Sequence, residues 1–138
     1  MGKSNSKNCP IRFALDLFGD KWSLLIIRDI LFKEKRYYDE FIESDEKIST
    51  NILADRLKKF EEERFLTKEI DPTNKRRFIY RPTQKALDLL PMLTEMILWS
   101  ATHDPQTAVA PESHRKIRGD KRSFIERHKA KFRKKGTD

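Results

Sequence analysis

The stretch from Ser49 to Arg81 sets the tightest limit on the fold. Behind a capping residue, Ser49, the side chains Leu53, Leu57 and Phe60 recur at i, i+4 and i+7, the spacing of one buried helical stripe. Asn51, Asp55, Lys58 and Glu62 project from the other side. The period then changes. Residues 65–70 and 77–81 are short runs rich in β-branched and aromatic side chains, and Asp71-Pro72-Thr73-Asn74-Lys75-Arg76 lies between them. An amphipathic helix followed by a hairpin with a basic tip is therefore expected.

The residues before and after this unit read as helices. Structure is expected to begin at Cys9-Pro10, with Ile11, Ala14, Leu15 and Phe18 on one face before Gly19. Asp20 suits the cap of a second helix running to about Phe32, apolar on most sides. A short helix over residues 37–42 and the polar break 44–47 complete a helix-turn-helix ahead of the Ser49 helix. Beyond the hairpin, Thr83 is expected to cap one long helix to about Thr102, bent slightly at Pro91. Its Leu87, Leu90, Leu93, Met96, Ile97 and Trp99 exceed what one small core can cover, which predicts a homodimer joined by this helix.

Length and charge bound the rest. A chain of 138 residues suits one domain, divided here into a flexible arm (1–8), a folded unit (9–104) and a linker with a basic tail (105–138). Residues 111–138 hold 11 Lys and Arg against 4 Asp and Glu, whereas the remainder holds 19 against 18. The net charge of +8 thus resides mainly in the tail and invites a polyanion. Within the tail, residues 122–134 suit a basic helix with Phe124, Ile125, His128 and Phe132 on one side. The sequence offers no apolar run long enough to span a bilayer and no signal-peptide stretch, so a cytoplasmic location is expected, without membrane association. One cysteine forms no internal disulfide, and the three histidines lack metal-ligand spacing, so no metal or cofactor is expected. Neither a glycine-rich phosphate loop nor a nucleophile with its base is recognisable, and an enzyme is not expected.

The order helix, helix, short helix, helix, hairpin, long helix gives the fold class as mainly α with a small β-hairpin (α+β), a winged helix-turn-helix. In that fold the helix after the turn enters the major groove of duplex DNA and the hairpin reaches the flanking backbone or minor groove. Ser49, Thr50 and Asn51 stand at the helix start, where exposed amides favour phosphate. Asn51 suits a paired contact with adenine, Asp55 can accept from cytosine or pair with Lys58 or Lys59, and Lys58 can meet a phosphate. Lys75, Arg76 and Arg77 supply charge at the wing, and Arg36 is a candidate backbone anchor. Arg56 lies nearer the core flank and reads as structural.

Cys9-Pro10, Asp20-Lys21-Trp22-Ser23, the run Ile48-Ser49-Thr50-Asn51-Ile52-Leu53-Ala54-Asp55-Arg56-Leu57, Asp71-Pro72, and Leu89-Leu90-Pro91 with Trp99 together resemble the HxlR-type family of MarR-like winged helix-turn-helix regulators. The resemblance spans about residues 9–104. It implies a dimeric transcription regulator, repressor or activator, sitting on a pseudo-palindromic operator and dimerising through its first and last helices. Lys47 and Arg64 stand where that family commonly has glycine; an Arg64 held at positive φ would carry a strain of at most about 1–2 kcal/mol, which the core can offset. Ala86 replaces a further frequent glycine.

Cys9 has two readings. One is a small buried residue beside the first helix, which is preferred on general grounds. The other, implied by the resemblance, is a thiol sensor, with an oxidant or other small molecule as effector; a helix start lowers a thiol pKa. Two rival functions stay open: a nucleic-acid binder without sequence preference, driven by the tail from Arg115 to Lys135, and a protein-interaction module using the last long helix.

Overall fold

The computed structural model describes residues 8–107 and 111–133; the proposed arm lies almost wholly outside them. The chain forms α1 (Pro10–Phe18), α2 (Lys21–Leu31), α3 (Tyr38–Ile42), α4 (Thr50–Glu62), β1 (Leu66–Asp71), β2 (Asn74–Pro82), α5 (Gln84–Leu87), α6 (Leu90–His103), α7 (Pro111–Gly119) and α8 (Lys121–Arg133). The two strands pair antiparallel, with Leu66 opposite Pro82 and Ile70 opposite Phe78. This is the mainly helical, winged helix-turn-helix architecture read from the sequence.

Local chemistry explains the boundaries. The Asp20 carboxylate accepts the N–H groups of Trp22 and Ser23, satisfying two orphan donors at the start of α2. Ser49 caps α4 by accepting from the Ile52 N–H at 3.2 Å. At the hairpin tip the Asp71 carboxylate accepts from the Thr73 N–H at 2.9 Å and from its hydroxyl at 2.8 Å, an Asx turn that closes the loop at Pro72-Thr73. The turn is thus shorter than expected, and Lys75 and Arg76 open β2 rather than sitting in a loop.

The core is one cluster in which Ile27, Ile30 and Leu31 of α2 meet Leu53, Leu57 and Phe60 of α4, Phe65 and Leu66 at the hairpin base, and Leu87, Leu90 and Leu93. Phe65 stands edge-on to both Phe18 and Phe60, with centroids 6.3 and 5.6 Å away. Each stripe residue of α4 is almost fully inaccessible.

Three expectations need correction. The long helix from Thr83 is broken: α5 ends at Leu87, and α6 starts at Leu90 with Pro91 in its first turn. A proline inside one continuous helix would lose a hydrogen bond and clash with the carbonyl four residues back, so the chain restarts instead. Thr83 does not cap with its side chain; its hydroxyl donates to the Arg64 carbonyl at 2.6 Å, and Lys85 Nζ donates to the Glu63 carbonyl at 2.8 Å. The two side chains close the C-terminal end of α4. Finally, Leu87, Leu90 and Leu93, expected at a dimer face, are consumed by the chain's own core.

Positive φ occurs at Lys47 (58°) and Arg64 (65°), two of the three positions noted above as replacing a glycine, and also at Glu34 (55°). Each holds a turn that the surrounding packing fixes: Ile48 and Phe65 are buried immediately after Lys47 and Arg64.

Candidate nucleic-acid interface

The exposed side of α4 is held in place from behind. Arg56 Nε lies 2.9 Å from Asp20 Oδ2, joining the recognition helix to the cap of α2, and Arg56 Nη1 lies 2.6 Å from Asp55. Burial alone would raise the Asp20 carboxyl, but hydrogen bonds from Ser23, Arg56 and the Trp22 amide outweigh it and bring its pKa to about 2. Arg56 is held correspondingly above its usual range, first through its hydrogen bond to Asp20. Asp55 therefore pairs with its neighbour Arg56 rather than with Lys58 or Lys59; Lys59 instead donates to the Asp16 carbonyl at 3.3 Å. With those groups occupied, Ser49, Thr50, Asn51 and Lys58 remain exposed on the outer face.

A second network fixes the turn between the helices. Arg28 grips Glu46 with both terminal nitrogens, at 2.7 and 2.9 Å, and also bonds the buried Asp29 at 2.7 Å. The Arg28 hydrogen bond is the chief cause that lowers Glu46 to a pKa of about 2. Lys35 closes on the other Asp29 oxygen at 3.3 Å. Periodicity gave no sign of this network, because each partner is an ordinary charged residue in sequence and only the fold brings residues 28 and 46 together.

The wing is tied to α3. The Tyr80 N–H donates to the Arg36 carbonyl at 2.8 Å, which ties the connection before α3 to β2, and the Arg36 side chain is half-buried. Arg77 stacks over the Tyr37 ring with its guanidinium carbon 3.5 Å from the centroid, and reaches Asp39 at 3.6 Å. Tyr38 in turn donates to the Thr50 carbonyl at 3.3 Å, connecting α3 with the start of α4. Arg77 is thereby committed partly to the protein, whereas Lys75 and Arg76 are exposed. The Asp71 carboxyl at the tip is lowered, first by the Thr73 amide.

Away from this face, α1 and α6 expose apolar side chains. Ile11 is 71% accessible, Trp99 is 67%, and Phe13, Leu15 and Met96 are also exposed. A groove of about 510 Å³ between the two helices is lined by Ile11, Leu15, Leu24, Met92 and Met96. Cys9 caps α1, accepting from the Arg12 N–H at 3.4 Å, and is exposed. The buried reading of this cysteine is thus incorrect: among the described residues it stands ahead of a solvent-facing first turn and is exposed. Among the described residues no group of His, Cys, Asp and Glu is arranged to hold a metal ion, and no helix is long and apolar enough to cross a membrane.

The family model for HxlR-like helix-turn-helix proteins matches residues 17–108. The HTH-type transcriptional regulator YodB of Bacillus subtilis (strain 168) is 32% identical over 93 residues, covering 67% of this chain and 82% of YodB. An HTH-type transcriptional regulator of Synechocystis sp. is 31% identical over 88 residues, 64% of each chain, so the match spans less than two thirds of that relative. Among solved structures, the reduced form of YodB superposes with a TM-score of 0.56 at 30% identity, covering 67% of this chain and 91% of that one. A MarR-family protein from Porphyromonas gingivalis W83 gives 0.56 at 28% identity, covering 70% and 91%. The chain belongs to the HxlR-like helix-turn-helix family of DNA-binding transcription regulators, which are not enzymes.

Proposed function

We propose that the protein acts in the cytoplasm as a homodimer on a pseudo-palindromic operator, with α4 of each protomer in one major groove. The observation that carries this reading is the division of labour on α4. Arg56 and Asp55 are spent on Asp20 and on each other, while Ser49, Thr50, Asn51 and Lys58 face outward beside exposed helix-start amides. Asn51 reads a base, Lys58 meets a phosphate, and Lys75 and Arg76 supply the wing's backbone contacts, with Arg77 and Arg36 setting the wing's angle. Dimerisation is assigned to the apolar faces of α1 and α6, where Ile11, Phe13, Leu15, Met96 and Trp99 are exposed and Ile97 is half-buried. Footprinting on the DNA upstream of its own coding region tests this: a short protected segment with two related halves about one helical turn apart supports it, and diffuse protection contradicts it.

An oxidant is the proposed effector. YodB has been solved in a reduced and a diamide-treated form, and in this chain the exposed thiol of Cys9 starts a helix that belongs to the proposed dimer face. Diamide should release the wild type from that upstream DNA and leave Cys9→Ser bound; equal release of both removes Cys9 from the mechanism.

A further inference from the structure

The family match ends at residue 108, yet the chain continues into a docked pair of helices. Ile117 of α7 and Phe132 of α8 are buried. Phe124 stacks on Phe32 at the end of α2 with centroids 6.0 Å apart, and the His128 ring stands edge-on to Phe32 at 4.9 Å. Lys121 bonds Glu95 of α6 at 2.7 Å. Residues 111–133 thus form a built surface with its apolar side turned inward.

Its outer side is strongly basic. Residues 111–133 carry nine Lys and Arg against three Asp and Glu. Asp120 is spent on capping α8 through Ser123, and Glu126 is shared at 3.8 Å between Lys129 and Arg133. Arg115, Lys116 and Arg122 are exposed, and none of them makes an ion pair among the described residues. Lys131 reaches Glu34 at 3.5 Å, two residues before Arg36, whose carbonyl pairs with the wing. The C-terminal end of α8 therefore lies beside the connection between α2 and α3.

We propose that α7 and α8 form a second phosphate-binding surface, which engages the backbone of duplex DNA beyond the segment held by α4 and the wing. The proposal rests on the DNA-binding reading above and extends its footprint. A duplex fits this surface better than a single strand, because the rings of α8 pack toward the protein, with Phe124 on Phe32 and Phe132 buried, and α8 itself presents no exposed ring on which unpaired bases could stack. Phosphates need only charge at a fixed position, and docking supplies the fixed position before binding.

The test is the full-length triple variant R115Q/K116Q/R122Q, whose altered side chains are exposed and make no ion pair among the described residues. Affinity is measured against salt on the footprinted upstream segment, once trimmed to its two related halves and once extended by about ten base pairs on each side. The variant should bind the trimmed duplex like wild type and the extended duplex about tenfold more weakly, with a salt slope shallower by up to about 2–3. Wild-type affinity on the extended duplex, or an equal loss on both, overturns the proposal. A mixed-sequence duplex of about 40 base pairs provides an arm that needs no specific site: the variant should again bind it more weakly and with a shallower slope, and wild-type binding there overturns the proposal. Failure of the α4 reading shows separately, as unchanged discrimination in Asn51→Ala. A greater loss on single-stranded RNA than on either duplex also overturns it.

Discussion

Arg56 of the recognition helix and Asp20 at the cap of α2 form one ion pair, 2.9 Å between Nε and Oδ2, in a position where each has a second duty. Asp20 also caps α2 and accepts from the Ser23 hydroxyl at 2.5 Å, and Arg56 also holds Asp55. The orientation of α4 is thus coupled to the start of the helix that forms the centre of the core.

This coupling gives acid stability a defined shape. Asp20 and Glu46 both titrate at about 2 in the folded chain, below the roughly 4 of an unfolded carboxyl. A depressed folded pKa contributes stability that is fully present above the unfolded value and is lost as pH falls through the folded one. Urea unfolding should therefore show stability falling most steeply between about pH 4 and pH 2. Asp20→Asn, which keeps a capping side chain, should be less stable than wild type at pH 7 and converge with it near pH 2. A constant difference across that range would show that the Asp20 charge has no part in it.

Dimerisation is tested at exposed positions. Leu93 lies in the chain's own core, so a charge there reports folding; Leu15 and Met96 line the α1–α6 groove and are exposed. Leu15→Asp with Met96→Asp should give a folded monomer by sedimentation with unchanged helix content. A dimer that persists places the interface elsewhere.

Relief of backbone strain is measurable. Lys47→Gly and Arg64→Gly remove a side chain from positive φ, and each should raise stability by up to about 1 kcal/mol, net of the extra freedom glycine gives the unfolded chain. Thermal midpoints of the single variants check this; a loss at both would show that the side chains contribute more than the strain costs.

The sequence made the architecture legible wherever hydrophobic period and caps were local. Leu53, Leu57 and Phe60 on α4, the Asp20 and Ser49 caps, the hairpin and the helix at residues 121–133 all follow from spacing that neighbouring residues carry. The break before Pro91 is hidden in the sequence, because the pattern of leucines continues across it while the hydrogen bonding does not. What spacing left hidden was pairing over long sequence distance: Arg56 with Asp20, Arg28 with Glu46, Arg77 over Tyr37 and Thr83 with the Arg64 carbonyl. Helix α7 is equally hidden, since Ile117 is its only buried side chain and a single apolar residue sets no period.

The central claim is that α4 reads sequence while the wing supplies charge, and the two should fail differently. Affinities of wild type, Asn51→Ala and the double variant Lys75→Ala/Arg76→Ala are measured against salt, on the footprinted segment and on mixed-sequence DNA. Asn51→Ala should cost about 1–3 kcal/mol on the footprinted segment and little on mixed sequence, because a paired base contact carries discrimination. The wing variant should weaken both and flatten the salt dependence. If Asn51→Ala instead weakens both DNAs equally and preference for the footprinted segment persists, α4 is not the reader and the account is wrong.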